Sequence, residues 1–174
     1  MNSSDCFLQG TAEWKHMSNG SVPENAFVAA SKKEQLFVAR AKHENGIQPC
    51  QLNEKRRGAE MLYGGEEIIK DTYDVLAASN GLFWKDINVG GLPRDSLKTG
   101  NEANGNALYS VKCKIAGKRY IGKYNGNDKA YFGVDGKEKE ITSGEMKILC
   151  FRESSPEKTV SNETEYFYCF LRKK

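Results

Sequence analysis

The chain predicts an all-β protein: antiparallel sheets formed by two tandem, intertwined repeats with pseudo-twofold symmetry, plus an extra strand at the C-terminus. Three observations carry this reading. The 174-residue sequence writes one layout twice at a spacing near 70 residues, its short segments alternate apolar and polar residues, and Asn-Gly pairs punctuate them. A spacing with so little drift marks two supersecondary units of one design. Period-two alternation between turn residues marks strands rather than helices.

Trp14-Lys15 and Trp84-Lys85 each lead through a Gly-containing turn to Val22-Pro23 and Leu92-Pro93. An alternating run follows, Leu36 to Arg40 in one copy and Leu108 to Lys112 in the other. Ala59 to Glu67 then matches Ala130 to Glu138, and Tyr73 to Leu76 answers Met146 to Leu149. The copies are assigned to residues 12–80 and 81–152, leaving 153–174 as a linker and C-terminal strand. Each copy is short for an independent domain, so the two are expected to share one core.

Turns are expected at Asn19-Gly20, Asn45-Gly46, Asn80-Gly81, Asn104-Gly105 and Asn125-Gly126, where both residue types tolerate positive φ. Gly65 to Leu76 is rich in β-branched residues and reads as a turn followed by a strand. Pro23 and Pro93 are placed to begin or edge a strand, where no ladder hydrogen bond is lost. Arg152 to Thr164 is polar and linker-like, whereas Glu165 to Leu171 (EYFYCFL) is strongly β-prone. Left exposed, that run would invite aggregation, so it is expected to dock as an added strand on its own sheet or on a partner's, giving a homodimer.

Composition narrows the class. Hydrophobic residues make up 39% and charged residues 28%, the balance of a soluble globular protein. No apolar run approaches the roughly 18 to 20 residues a membrane helix requires, so no membrane insertion is expected. Residues 1–10 carry neither a basic nor an apolar signal region, which predicts a cytoplasmic protein or one released without a leader. The five cysteines are odd in number and lack metal-ligand spacing, which suits a reducing compartment. A net charge of +3 is too slight for a nucleic-acid footprint, and no nucleic-acid partner is expected. Gly117 to Lys123 begins like a phosphate-binding loop, but Tyr124 stands where the magnesium-holding Ser or Thr is needed, and no helix is expected to follow. His16 and His43 have no companion at metal-ligand spacing, and no nucleophile motif is present; no catalytic residue, metal or cofactor is assigned. Trp14 and Trp84 are read as core anchors.

The paired elements resemble a known family. Trp14, the Gly20 turn, Pro23, Ala26, the run closing in Arg40-Ala41, Tyr63-Gly64-Gly65-Glu66-Glu67 and Tyr73 to Leu76 follow the layout of the DM-nine repeat. The chain resembles the small invertebrate mannose-binding lectins built from two such repeats, over roughly Trp14 to Phe151. The resemblance implies a lectin for mannose-containing glycans with a pattern-recognition or innate-immune role. It further implies that an acidic side chain before the apolar run and the lysine of a Pro-Gly-Lys element bind mannose hydroxyls without a metal. In the second repeat these places fall on Glu102, beside Asn101, and on Lys123, with Ile121 in place of the proline. In the first repeat they fall on a shortened stretch and on Pro49-Cys50-Gln51, and neither role is filled.

The chemistry of these residues stands beside the resemblance. A carboxylate accepts from two neighbouring hydroxyls while an ammonium donates to their oxygens, so a Glu and a Lys held together suit a vicinal diol. Gly122 would let the backbone approach the ligand, and Tyr109 or Tyr124 would offer an apolar face to a sugar ring. Lys123 is expected to be exposed, with its removal leaving stability nearly unchanged. The alternative is a non-enzymatic interaction scaffold or homo-oligomer without a sugar ligand, in which Glu102 and Lys123 are incidental surface residues.

Overall fold

The computed structural model describes residues 12–31, 35–78 and 80–152. These form fourteen strands and no helix. The first repeat supplies β1 (Ala12–Ser18), β2 (Val28–Ser31), β3 (Gln35–His43), β4 (Gly46–Asn53), β5 (Ala59–Tyr63), β6 (Glu66–Lys70) and β7 (Thr72–Ala78). The second supplies β8 (Leu82–Asn88), β9 (Lys98–Asn101), β10 (Ala107–Ile115), β11 (Lys118–Tyr124), β12 (Ala130–Val134), β13 (Lys137–Ile141) and β14 (Glu145–Phe151). All pairings are antiparallel, in the order β1-β7-β3-β4-β5-β6-β13-β12-β11-β10-β14-β8, with β2 on β3 and β9 on both β10 and β4. Read from either end, the order meets corresponding strands of the two repeats. Because β9 also pairs with β4, the path from β4 through β6, β13 and β10 returns to β4 and closes a barrel. The expected strand at Glu165 to Leu171, and with it the dimer edge, lies outside the described residues.

The repeats join reciprocally. Glu67 N donates to Gly136 O at 3.3 Å and Glu138 N donates to Gly65 O at 3.0 Å, each bond being the other's image under the duplication.

Buried side chains fall into three clusters rather than the single core expected. Phe37, Leu52, Met61, Tyr73 and Val75 pack within the first repeat, and Val111, Tyr124, Phe132 and Ile148 within the second. The third is shared: Leu36, Val38 and Leu76 meet Ile121 and Leu149, flanked by Trp14 and Trp84. β3 explains the arrangement, since its alternate residues serve different clusters, Phe37 and Ala39 on one face and Leu36 and Val38 on the other. Both tryptophans sit half-buried against the shared cluster with a cation over the ring: Arg40 Cζ lies 4.2 Å from the centre of Trp14 and Lys112 Nζ 4.3 Å from that of Trp84.

Several local expectations are refined. Asn19-Gly20 is a turn with both residues left-handed (φ 53° and 83°), but at Asn45-Gly46 the left-handed residue is Glu44 (φ 49°). Gly65 to Leu76 is a turn followed by two strands, β6 and the start of β7, broken at Asp71. Pro23 and Pro93 open turns closed by Ala26 N→Pro23 O and Ser96 N→Pro93 O rather than strands. Proline's fixed φ suits the turn, and only single bridges, Ala26 to Ala77 and Ser96 to Cys150, follow. Cys50, Cys113 and Cys150 are free thiols.

Candidate functional site

Two glycines build the seam that creates the site. A Cβ on Gly100 would lie 2.2 Å from Ile47 O, and one on Gly46 would lie 2.8 Å from Asn101 O. Only without side chains can β9 and β4 come this close, in the register Ile47 to Asn101. The approach carries the turn after β9 over β4. That turn is fixed by Glu102 N→Asn106 O (2.9 Å), Gly105 N→Glu102 O (2.9 Å) and Asn101 Nδ2→Glu102 O (3.0 Å). Asn101 thus shapes the turn that presents Glu102.

Gln48, on β4 of the first repeat and only 1% exposed, links the two residues named from the sequence. Its Nε2 donates to Glu102 Oε2 at 2.9 Å, and its Oε1 accepts from Lys123 Nζ at 3.2 Å. This is the one amide orientation that satisfies both charged neighbours. The ammonium also donates to Leu62 O at 2.8 Å and lies 3.4 Å from Glu138 Oε1. Tyr131 and Tyr63 flank it, their ring centres 5.3 and 5.7 Å from Nζ.

Lys123 is buried at 5% exposure, contrary to the exposed position expected. A desolvated ammonium is tolerated because each of its protons has an oxygen partner. At the rim Tyr63 donates to Glu44 Oε2 at 2.8 Å and meets His43 edge-on, with ring centres 4.4 Å apart. The Glu44 carboxylate raises the Tyr63 phenol, and burial first, then Glu140, pushes Tyr131 up to about 12.

Gly122 and Tyr124 do not face this cluster. A Cβ on Gly122 would lie 2.1 Å from Tyr131 O and 2.6 Å from the Phe132 ring, so its close neighbour is β12 and not a ligand. Tyr124 is fully buried in the second-repeat cluster, where its hydroxyl accepts from Gly90 N (2.9 Å) and donates to Asn127 O (2.8 Å). Tyr109 packs on the same cluster and against the turn at Gly126. Strand alternation gives the reason: residues one place either side of Lys123 point to the opposite face. The aromatic faces near the ammonium belong instead to Tyr63 and Tyr131, within the Tyr-Gly-Gly-Glu-Glu element and its second-repeat match. Gln48 had no such sequence signal.

The duplication places Gln51 where Lys123 stands, and the first repeat is built differently there. Gln51 Nε2 donates to Glu60 Oε2 at 2.6 Å and its Oε1 accepts from Ile121 N at 2.8 Å. Arg56 neutralises Glu60 (2.6 Å) and Glu67 (3.3 Å). Burial and then the charge of Glu67 raise the Glu60 carboxyl. Gln51 thus puts a neutral amide where the second repeat has an ammonium, and among the described residues no group of three or more His, Cys, Asp or Glu is disposed to hold a metal.

No protein of curated function matches the sequence. Among solved structures, the fold is similar to the crystal structure of the nematode sperm cell motility protein MFP2B, with a TM-score of 0.61 at 15% identity. The similarity covers 88% of this chain and 48% of that one, so the chain spans about half the length of its structural neighbour. The DM9 repeat model matches residues 30–141, well over half of the chain and across both halves of the barrel, and the chain belongs to the DM9 repeat family.

Proposed function

We propose that this protein binds carbohydrate, recognising mannose-type glycans without a metal through one site per chain at Glu102, Gln48 and Lys123. One observation supports the reading above the rest: a single buried amide holds a half-exposed carboxylate and a buried ammonium within 2.9 and 3.2 Å of itself, beside two tyrosine rings. The carboxylate accepts from sugar hydroxyls, the buried ammonium and amide hold that carboxylate in place, and a tyrosine face covers the C–H side of the ring. In the first-repeat counterpart the neutral Gln51 takes the lysine's place and Arg56 is committed to Glu60 and Glu67, so a stoichiometry of one is expected.

The role is binding rather than catalysis. Both phenols at the site resist ionisation, Tyr131 to about 12, and so act as donors and apolar faces instead of bases. A single shallow contact of this kind corresponds to millimolar affinity, about 4 kcal/mol. Presentation of several copies, as the expected homodimer would provide, raises avidity, and a recognition factor of innate immunity fits that use.

Calorimetry with methyl α-mannoside tests the reading. Binding near one sugar per chain, unchanged by a chelator and weakened about tenfold in Glu102→Gln at an unchanged melting temperature, is the expected result. Two equal sites, loss of binding with chelator, or full affinity in Glu102→Gln would overturn it.

A further inference from the structure

A cleft whose lining includes none of Gln48, Glu102 and Lys123 lies on the first repeat. It encloses about 320 Å³ and is lined by Arg40, Lys42, Lys70, Thr72, Asp74 and His16. Three fixed cations face one carboxylate there. Among the described residues Asp74 is engaged by Arg40 Nε at 3.2 Å and by His16 Nδ1 at 3.1 Å, and neither Lys42 nor Lys70 has an ion-pair partner. Like charges brought to one concavity in excess of its carboxylate focus an attractive field for anions.

The arginine is preorganised. Its guanidinium stacks on Trp14 at 4.2 Å and is pinned through Nε by Asp74, while its terminal amino groups donate no hydrogen bond among the described residues. Such a fork matches two oxygens of a tetrahedral oxyanion, and holding it in advance lowers the entropy lost on binding. The cleft is larger than a bare anion needs and lies at the low end of small-ligand sites, roughly 300–1,000 Å³. Thr72 offers a hydroxyl at its edge, and Ile47 and Tyr73 add apolar wall.

The second repeat lacks this device. Lys112 takes the place of Arg40 over Trp84, yet its ammonium already donates to Ala29 O at 2.8 Å. Lys147 stands in place of Asp74 and is paired with Asp86, which stands in place of His16. A stacked fork with free amino groups therefore belongs to the first repeat.

We infer that the cleft at Arg40, Lys42 and Lys70 binds a phosphate or sulfate ester of monosaccharide size. Arg40 grips the ester oxygens, Lys42 and Lys70 supply charge, and Thr72 meets the attached polar group. This site is independent of the mannose reading. The test titrates the full chain with glucose 6-phosphate, glucose 6-sulfate and glucose at low ionic strength, following backbone amide shifts by NMR. The esters are expected to shift residues around Lys42, Lys70 and Thr72, glucose is not, and the tighter ester names the source of the anion.

Arg40→Gln should weaken ester binding at least about tenfold. The double variant Lys42→Gln, Lys70→Gln keeps the Trp14 contact and should weaken it as well. Glu102→Gln and Lys112→Gln should leave it unchanged. The inference is overturned if neither ester binds, if glucose binds as well as the esters, if the shifts centre on Lys112 and Lys147, or if both charge-removing variants bind the esters with full affinity.

Discussion

Lys123 makes its ion pair with Glu138, 3.4 Å away on the neighbouring part of its own repeat, while its contact with Glu102 runs through Gln48. The lysine is therefore part of the framework as well as of the proposed site. Lys123→Ala should destabilise the protein by about 3 kcal/mol, since it leaves the Glu138 carboxylate, 9% exposed, without its cation. This reverses the expectation of a neutral surface change. Denaturant melts decide it, and a loss below about 0.5 kcal/mol, the size of a surface substitution, would show that the pair carries no stability.

Gln48→Leu keeps volume and removes both hydrogen bonds of the bridge. The cost should be about 1–2 kcal/mol, because Lys123 loses a buried acceptor whereas Glu102 can turn to water. Mannose affinity should fall with it. A double-mutant cycle with Glu102→Gln should show coupling of about 0.5 kcal/mol or more; strict additivity would mean that the amide does not connect the two.

Gly100→Ala places a methyl group where Ile47 O lies 2.2 Å away, and backbone cannot turn aside as a side chain can. Separation of β9 from β4 should cost about 1–3 kcal/mol and carry Glu102 away from Gln48. Amide exchange at Asn101 should quicken first. A variant with wild-type stability and wild-type exchange at that amide would contradict the close seam.

Lys112 gives a pH signature. Burial, then the charges of Arg119 and Lys147, push its ammonium down from 10.5 to about 8. Between those values the unfolded chain holds more protons than the folded one, so stability rises with pH across that window, and below it the cost of the buried charge is fully felt. Thermal melts from pH 7 to 10.5 should therefore climb more in the wild type than in Lys112→Gln. Parallel profiles would refute the assignment.

The strand pattern was legible because alternation and turn residues are local properties of the sequence. The family resemblance pointed to Glu102 and Lys123, which Gln48 joins in one cluster. Gln48 escaped notice because it lies 54 residues from Glu102 and 75 from Lys123, in the repeat where the lysine role is vacant. Gly122 and Tyr124 were misplaced for a reason the sequence does contain: on a strand, the two neighbours of Lys123 point to the face opposite its own. Burial of Lys123 follows from the packing of β5 and β13 around it, which no local pattern encodes.

The reciprocal bonds at Gly65 and Gly136, together with the Gln48 bridge, make the two halves of the barrel mechanical partners. A sugar that braced Glu102 against the Gln48–Lys123 bridge would act as a rivet across that joint. Its occupancy would be felt as resistance to pulling or prying the halves apart, by RT ln(1 + [L]/Kd) at equilibrium. Either half expressed alone would then be mute toward the ligand, and recovery of binding on mixing the two would report the closing of the barrel itself.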